Sequence, residues 1–408
     1  MKTGETSLRH LKCHSCGETF TVDSNLMVCE VCSSPLTLEY DLENLSSRFE
    51  AEALKSRVKS VWRYKEFLPP FGEEDLVSLG EGFTPVIESR KIGRELGLEG
   101  LFFKLEFVNP TGSLKDRGST VLVSRIKQMG VRFIADDSSG NAGASISAYG
   151  SKAGIDCRIF VPEKTPTEKI IQAVIYGAEM VRVPGGRTET FREIMRQARE
   201  GKFFYASHNL SPYFLEGNKT FALEIIEQTE GSLPDHIIFP TGGGSLFLGS
   251  YKGFVEAKEI GWIERIPMLH VVQPEACAPI VRAFEKREEE VKPVKEGDSI
   301  AGGLKIADPP RGRLILKELY ETEGSAVSVS DEEIIDSYLH LAGREGIFCE
   351  PTSATALAAL RKLIDKGEIS NDERVLLPIT GFGLKDTKNA VRIAVDKKLI
   401  EEEISNPG

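Results

Sequence analysis

No apolar run in the sequence approaches the roughly 20 residues that a membrane-spanning helix needs. Its first ten residues, MKTGETSLRH, hold nothing resembling the apolar core of a secretory leader. Both absences lead to the expectation of a cytoplasmic protein with no membrane partner. Internal repeats and low-complexity segments are missing as well. Positive charge is in deficit: Lys and Arg number 51 against 62 Asp and Glu, a formal net charge of -11. An extended contact with nucleic acid is therefore not expected. A small anion is a different matter, because one local cradle of amides and cations holds a phosphate inside an acidic protein. The acidic run Glu285–Asp298 (EKREEEVKPVKEGD) mixes both signs around a proline and reads as a solvated loop or frayed helix end.

Cysteine is sparse, yet four of the seven form a pattern: Cys13-x-x-Cys16, twelve residues, then Cys29-x-x-Cys32. Two close pairs of thiolates surround one tetrahedral zinc ion. Gly17 after the first pair, and Ser33-Ser34 after the second, suit the tight turns such knuckles need. A redox-active or disulfide-forming pair of dithiols is the alternative, disfavoured in a reducing cytoplasm. Cys157, Cys277 and Cys349 are scattered and read as small buried hydrophobes.

The 408 residues, 40% hydrophobic and 28% charged, are enough for two or three packed units. A zinc ribbon over residues 8–40 is followed by a helical linker (Leu45–Tyr64) and the breaker Pro69-Pro70-Phe71-Gly72. Short apolar runs then alternate with helical stretches. Leu101–Leu105, Phe133–Ala135, Arg158–Val161, Met180–Val183, His236–Phe239, Leu269–Val272 and Val375–Leu377 read as buried strands. Between them, Gly143–Ala153, Thr167–Tyr176, Glu189–Glu200, Thr220–Glu230, Leu246–Ile260, Asp331–Glu345 and Ser353–Lys366 read as helices. Such alternation predicts an α/β fold with largely parallel sheets.

Glycine-rich or polar turns at strand-to-helix junctions are where α/β folds place ligands. In Asn109–Gly118 (NPTGSLKDRG), Pro110 and Gly112 force a turn and leave Lys115 near a helix start. A lysine partly desolvated there has its amine pKa lowered and condenses with an aldehyde; taken alone, the segment reads better as a capped helix with a surface lysine. Asp137–Ser145 (DSSGNAGAS) follows the strand Phe133–Ala135 and brings backbone close to a flat ligand. Thr241–Leu246 (TGGGSL) follows His236–Phe239, and its three glycines aim backbone N–H groups at a phosphate. Pro378–Asp386 (PITGFGLKD) adds a hydroxyl at Thr380 after the last strand.

These four segments, in this order, resemble the fold-type-II pyridoxal-phosphate enzymes and are most similar to the threonine synthase-like family. The resemblance covers about Gly80 to Arg392 and includes the opening segment Ser78–Pro85 (SLGEGFTP); an N-terminal zinc ribbon is familiar in archaeal and some bacterial relatives. It implies a tryptophan synthase beta-like fold of two α/β domains around a cofactor cleft. Residues 1–45 form the ribbon and its lead-in, 46–120 and 215–408 the large domain, and 121–214 a small mobile domain. Lys115 is implied as the Schiff-base lysine and proton shuttle. Asn141 is implied at the ring's phenolic oxygen, and Gly242, Gly243, Gly244, Ser245 and Leu246 at the cofactor phosphate. Thr380 is implied at the pyridine nitrogen, where a neutral hydroxyl leaves electron withdrawal weaker than a carboxylate does. Ser138, Ser139 and Gly140 are implied at the substrate carboxylate, and structural zinc at Cys13, Cys16, Cys29 and Cys32. The resemblance also implies a homodimer.

Three positions depart from the family pattern. Ala142 stands where a threonine is usual, Phe214 replaces the arginine of N-P-x-R, and Phe382 replaces a histidine. The cofactor motifs are intact and the polar groups expected around the substrate side chain are not. The implied reaction is a threonine synthase-like lyase step, O-phospho-L-homoserine and water giving L-threonine and phosphate. The competing reading is β-replacement or β-elimination on O-phosphoserine, serine or threonine, of the cysteate synthase, cysteine synthase or dehydratase type. A non-catalytic zinc-ribbon protein with a relic pyridoxal domain is a third. Arg117, Lys219, Arg187 and His208 are the cations available to compensate for the lost groups.

Overall fold

A computed structural model of the chain describes residues 6–400, so the outermost residues of the 1–45 and 215–408 segments lie outside the described residues. The chain divides into two compact units. The first comprises Met1–Thr84, Asn109–Ser232 and Gly244–Ile266; the second comprises Pro85–Val108, Leu233–Gly243 and Pro267–Gly408.

The first unit holds two sheets. Leu8–Cys13 runs at the centre of a small antiparallel sheet, flanked by Thr19–Phe20 and Leu36–Tyr40. Four parallel strands form the other, in the order Glu179–Val183, Asp156–Pro162, Phe133–Asp136, Phe204–Tyr205. Continuous apolar runs are what parallel strands covered on both faces require, and Ile134, Ala135, Ile159, Phe160 and Val161 are all fully buried. Helices Lys115–Gln128 and Pro212–Gln228 approach so closely that a Cβ on Gly217 would meet the Arg117 carbonyl oxygen. Ribbon residues Leu11, Leu36 and Leu38 share one apolar cluster with Val121, Ile146 and Phe214, so the ribbon has no core of its own.

The second unit is a six-stranded sheet in the order Ala326–Val329, Met268–Pro274, His236–Pro240, Arg374–Ile379, Gly100–Leu105, Val86–Glu88. Every pairing is parallel except that of the Val86–Glu88 edge. Helix Pro351–Asp365 buries Ala354, Leu357, Leu360 and Leu363 in the core of this unit. No helix among the described residues is long and apolar enough to cross a membrane.

The expected α/β alternation is present, and all seven strands read from the sequence form. The linker differs. Residues 45–64 are not one helix: Leu42–Arg48 is α-helical, while Ala51–Ser56 and Val61–Phe67 are 3-10 segments with Tyr64 outside helical geometry. Aromatic packing accompanies this path: Phe49, Phe67 and Trp262 meet edge-on or tilted, with centroids 4.6–6.0 Å apart. The acidic run behaves as read: helix Pro279–Glu285 ends and no regular element follows through Asp298.

Candidate active site and cysteine cluster

Lys115 is the first residue of helix Lys115–Gln128 and is partly buried. The preceding turn is closed by the Gly112 N–H donating to the Asn109 carbonyl (2.8 Å), with Gly112 at φ +83°, a region glycine enters without strain. The neighbouring Asp116 locks that turn. It accepts from the Thr111 N–H (2.7 Å), the Thr111 hydroxyl (2.5 Å) and the Ser145 hydroxyl (2.6 Å). Burial lifts the Asp116 carboxyl to about 6, against the pull of these donors. Glu81 fixes the opening segment, accepting from Tyr149 (2.7 Å) and Ser78 (3.0 Å), while the Gly82 N–H donates to the Asn109 side chain (2.9 Å). Ser113, two residues before Lys115, is fully buried with its hydroxyl unpaired among the described residues.

The asparagine loop leaves the strand Phe133–Asp136 and enters helix Asn141–Ala153, so Asn141 sits at a helix N-terminus. A Cβ on Gly143 would stand 1.9 Å from the Ser138 carbonyl oxygen, which explains the glycine after Ala142. Ser138 and Ser139 are half-buried and Gly140 is exposed. Gly244 takes the left-handed conformation at φ +80° and opens helix Ser245–Glu259, with Ser245 and Leu246 buried in its first turn. These residues all belong to the first unit.

In the second unit, Gly242 and Gly243 end the run that follows His236–Pro240. A Cβ on Gly242 would lie 2.9 Å from the Gly303 carbonyl oxygen, so backbone meets backbone there. Thr380 follows the strand Arg374–Ile379, is nearly buried, and shares a hydrogen bond of 2.9 Å with the Ser353 hydroxyl. Phe382 stacks on Phe107 (5.6 Å) and meets Phe348 edge-on (6.0 Å).

Of the four compensating cations, two are already committed. Arg117 is fully buried and grips Glu224 with both nitrogens, at 2.6 and 2.7 Å. Lys219 is fully buried between Glu216 (2.6 Å) and Glu256 (2.8 Å). Arg187 is exposed at the start of helix Arg187–Arg199. His208 instead meets Asp136, Nδ1 to Oδ1 at 3.0 Å, and lies edge-on to the Phe214 ring. Phe214 is fully buried, and the Lys115 Nζ stands over its face, 6.0 Å from the centroid.

The cysteines meet the demand of a tetrahedral metal. Cys13 to Cys32 is 3.4 Å and Cys16 to Cys29 is 3.6 Å, and all four sulfurs lie within 4.8 Å of one another. Zinc–sulfur bonds of about 2.3 Å arranged tetrahedrally call for sulfurs roughly 3.8 Å apart. The knuckle turns close through Gly17 N–H to Cys13 (2.9 Å) and Ser33 N–H to Cys29 (2.8 Å), with Gly17 and Ser33 both at positive φ. No two of the seven cysteines are joined in a disulfide, and Cys157, Cys277 and Cys349 are buried as read.

Residues 77–381 match the family model for pyridoxal-phosphate dependent enzymes. The chain belongs to that family. It is 38% identical to threonine synthase of Methanocaldococcus jannaschii over 391 residues, 96% of both chains. With threonine synthase of Methanosarcina acetivorans it shares 34% over 97% of this chain and 96% of the other. Among solved structures, diaminopropionate ammonia lyase from Escherichia coli superimposes with a TM-score of 0.68 at 17% identity, covering 82% of this chain and 96% of that one. Threonine deaminase isoform 2 from Solanum lycopersicum gives 0.66 at 19%, covering 76% and 83%. The chain is thus a fold-type-II enzyme and a threonine synthase homologue. The motifs of this family member fit the cofactor. Lys115 starts a helix, Gly143 and Gly242 admit no side chain, and Ser113 offers a buried donor.

Proposed function

We propose that the chain is a threonine synthase-like lyase, converting O-phospho-L-homoserine and water to L-threonine and phosphate. The observation that carries this reading is the complete set Lys115, Asn141, the glycine run and Thr380 in a chain alignable almost end to end with threonine synthases. Lys115 would hold pyridoxal 5'-phosphate, with Asn141 at its ring oxygen. Gly242, Gly243, Gly244, Ser245 and Leu246 would face its phosphate, and Thr380 its nitrogen. The bound cofactor supplies the electron withdrawal that makes the substrate's α-proton acidic.

The chain's own groups do the rest. The Lys115 amine takes the α-proton and returns a proton at the end. Ser138, Ser139 and Gly140 orient the α-carboxylate. Thr380, tied to Ser353, contributes a neutral hydroxyl that restrains electron withdrawal and so favours chemistry at the side chain. The segment 121–214 is proposed to move on substrate binding and to keep water out until phosphate has left. The four cysteines would hold one structural zinc, with no coordination position left for substrate. A cytoplasmic homodimer is the expected form.

One observation favours a second reading. Phe214 and Phe382 are packed aromatic side chains and Ala142 is buried, which suits a shorter substrate such as O-phosphoserine, serine or threonine. Purified protein assayed against O-phosphohomoserine, O-phosphoserine, serine and threonine decides the matter. Phosphate and threonine from the first substrate support the proposal; turnover confined to the others overturns it.

A further inference from the structure

We propose that the Asp136–His208 pair recognises the phosphate group of the substrate side chain, replacing the arginine that Phe214 displaces. The inference rests on the phosphohomoserine reading and deepens it.

Four residues of the first unit make one contiguous set: Asp136, His208, Phe214 and Lys115. Asp136 ends the strand Phe133–Asp136 and is fully buried. One carboxylate oxygen faces His208 Nδ1 at 3.0 Å, and the other accepts the Ser138 N–H at 3.2 Å. The same carboxylate therefore ties the imidazole to the loop proposed to hold the substrate's own carboxylate. A buried aspartate on one ring nitrogen fixes which nitrogen carries that hydrogen and holds the ring in one orientation. His208 keeps a 13% exposed side chain, and its Nε2 has no partner among the described residues. Its ring meets Phe214 edge-on, with centroids 6.1 Å apart, and the Lys115 amine lies over the face of that same ring. An imidazole of fixed orientation thus flanks the residue standing where the family has a guanidinium.

Two of the other three cations are already committed elsewhere. Arg117 and Lys219 are fully buried in ion pairs with Glu224, Glu216 and Glu256. A metal ion is the rival occupant, because Asp136, Asp137 and His208 bring one ligand atom each within 4.8 Å. Both oxygens of Asp136 are engaged by protein donors, however, and Asp137 accepts the Tyr205 hydroxyl at 2.9 Å. The ring atom left over is Nε2, which shares one hydrogen with a phosphate oxygen, whichever of the two carries it.

The holoenzyme, loaded with cofactor and zinc, is titrated with inorganic phosphate and followed by the ring signals of its 15N-labelled histidines. With six histidines in the chain, such a spectrum is readable. His208→Ala and His208→Gln are compared for phosphate affinity and for kcat and KM on O-phosphohomoserine, with the visible spectrum of the bound cofactor as the check of folding. The expected result is a phosphate-dependent shift of one histidine that is missing in the variants. Phosphate affinity should fall, and KM for O-phosphohomoserine rise, by tenfold or more, with kcat changed less and His208→Gln milder than His208→Ala. Wild type that binds phosphate without moving the His208 signal overturns the proposal, as does unaltered phosphate affinity in both variants. A divalent ion in stoichiometric amount beyond zinc, lost on His208→Ala, overturns it in favour of the metal. Loss of phosphate binding in a protein that never turns over O-phosphohomoserine keeps the subsite and sinks the proposed reaction instead.

Discussion

The Tyr40 hydroxyl donates to Glu216 across 3.0 Å, joining the last ribbon strand to the helix that carries Phe214. Glu216 also meets Lys219 and Lys252 at 2.6 and 2.5 Å, and both ammonium groups lie over the Tyr40 ring, at 4.1 and 4.9 Å. Burial pushes the Glu216 carboxyl up, but the two lysines outweigh it and hold the group below its ordinary range. Burial and the nearby Glu216 push the Tyr40 phenol the other way, so it remains a donor. Removing a hydrogen bond to a buried charge costs roughly 1.5–3 kcal/mol. Tyr40→Phe should therefore lower the stability of the first unit by about that amount in urea unfolding. The same route predicts that chelating the zinc lowers the melting temperature of the body and not of the ribbon alone, because the ribbon's apolar residues belong to the body's core. A chelated protein with unchanged thermal unfolding of its body would contradict this.

Lys115 is the lysine expected to carry the cofactor. Borohydride reduction of the holoenzyme should fix the cofactor mass on the peptide containing Lys115, and Lys115→Ala should abolish both the label and turnover. Label on a different lysine would remove the assignment, whatever the activity of the variant.

Acid should weaken the second unit through a buried histidine pair. The Ser325 N–H donates to His270 Nδ1 (3.0 Å), which leaves the His270 proton on Nε2, aimed at His236 Nδ1 (2.9 Å). Burial, and then the neighbouring imidazole, depress His270 from 6.5 to about 3. The unfolded chain thus binds a proton near pH 6.5 while the native chain refuses it until about pH 3. Stability is full above pH 6.5 and is lost as pH falls through that window, by roughly 5 kcal/mol at one pK unit per 1.36 kcal/mol. Urea midpoints measured between pH 7 and pH 4 should fall less steeply in His270→Gln than in wild type, even if the variant starts lower. Parallel slopes would show that this pair does not govern the acid limb.

Much of this was legible in the sequence, for identifiable reasons. Lys115, Asn141, Gly244 and Thr380 stand in short motifs whose glycines and turns are local, so reading them needed no partner. The buried strands announced themselves as apolar runs. Ala326–Val329 did not, since its serine and short length hide a strand made by pairing with Met268–Pro274. Nor did helix Gly312–Glu321, which begins beside Arg311 without a side-chain cap. The ion pairs Arg117–Glu224 and Lys219–Glu256 span 107 and 37 residues of sequence, and no periodicity points across such gaps. Two of the four cations weighed as phosphate ligands were therefore structural. His208 became the strongest of them once Asp136, 72 residues away, was seen beside it.

Gly118 supplies the last test, because propensity and packing give opposite answers there. It lies inside helix Lys115–Gln128, and an exposed helix-interior glycine replaced by alanine gains about 1 kcal/mol. Here an alanine Cβ would stand 2.5 Å from the Phe214 ring, closer than carbon atoms approach. Phe214 is fully buried, so its ring has no solvent to move into. Overpacking of this kind costs about 1–3 kcal/mol, which outweighs the propensity gain. Gly118→Ala should accordingly be destabilised. Since the displaced ring is the one beneath the Lys115 amine, KM and cofactor retention should change with it. Phe214→Leu removes the clashing edge and should rescue Gly118→Ala, so that the double variant is more stable than the sum of the single changes predicts. The cycle is read by urea unfolding of all four proteins. A Gly118→Ala protein more stable than wild type, or strictly additive single changes, would mean that Phe214 does not press on the helix of Lys115.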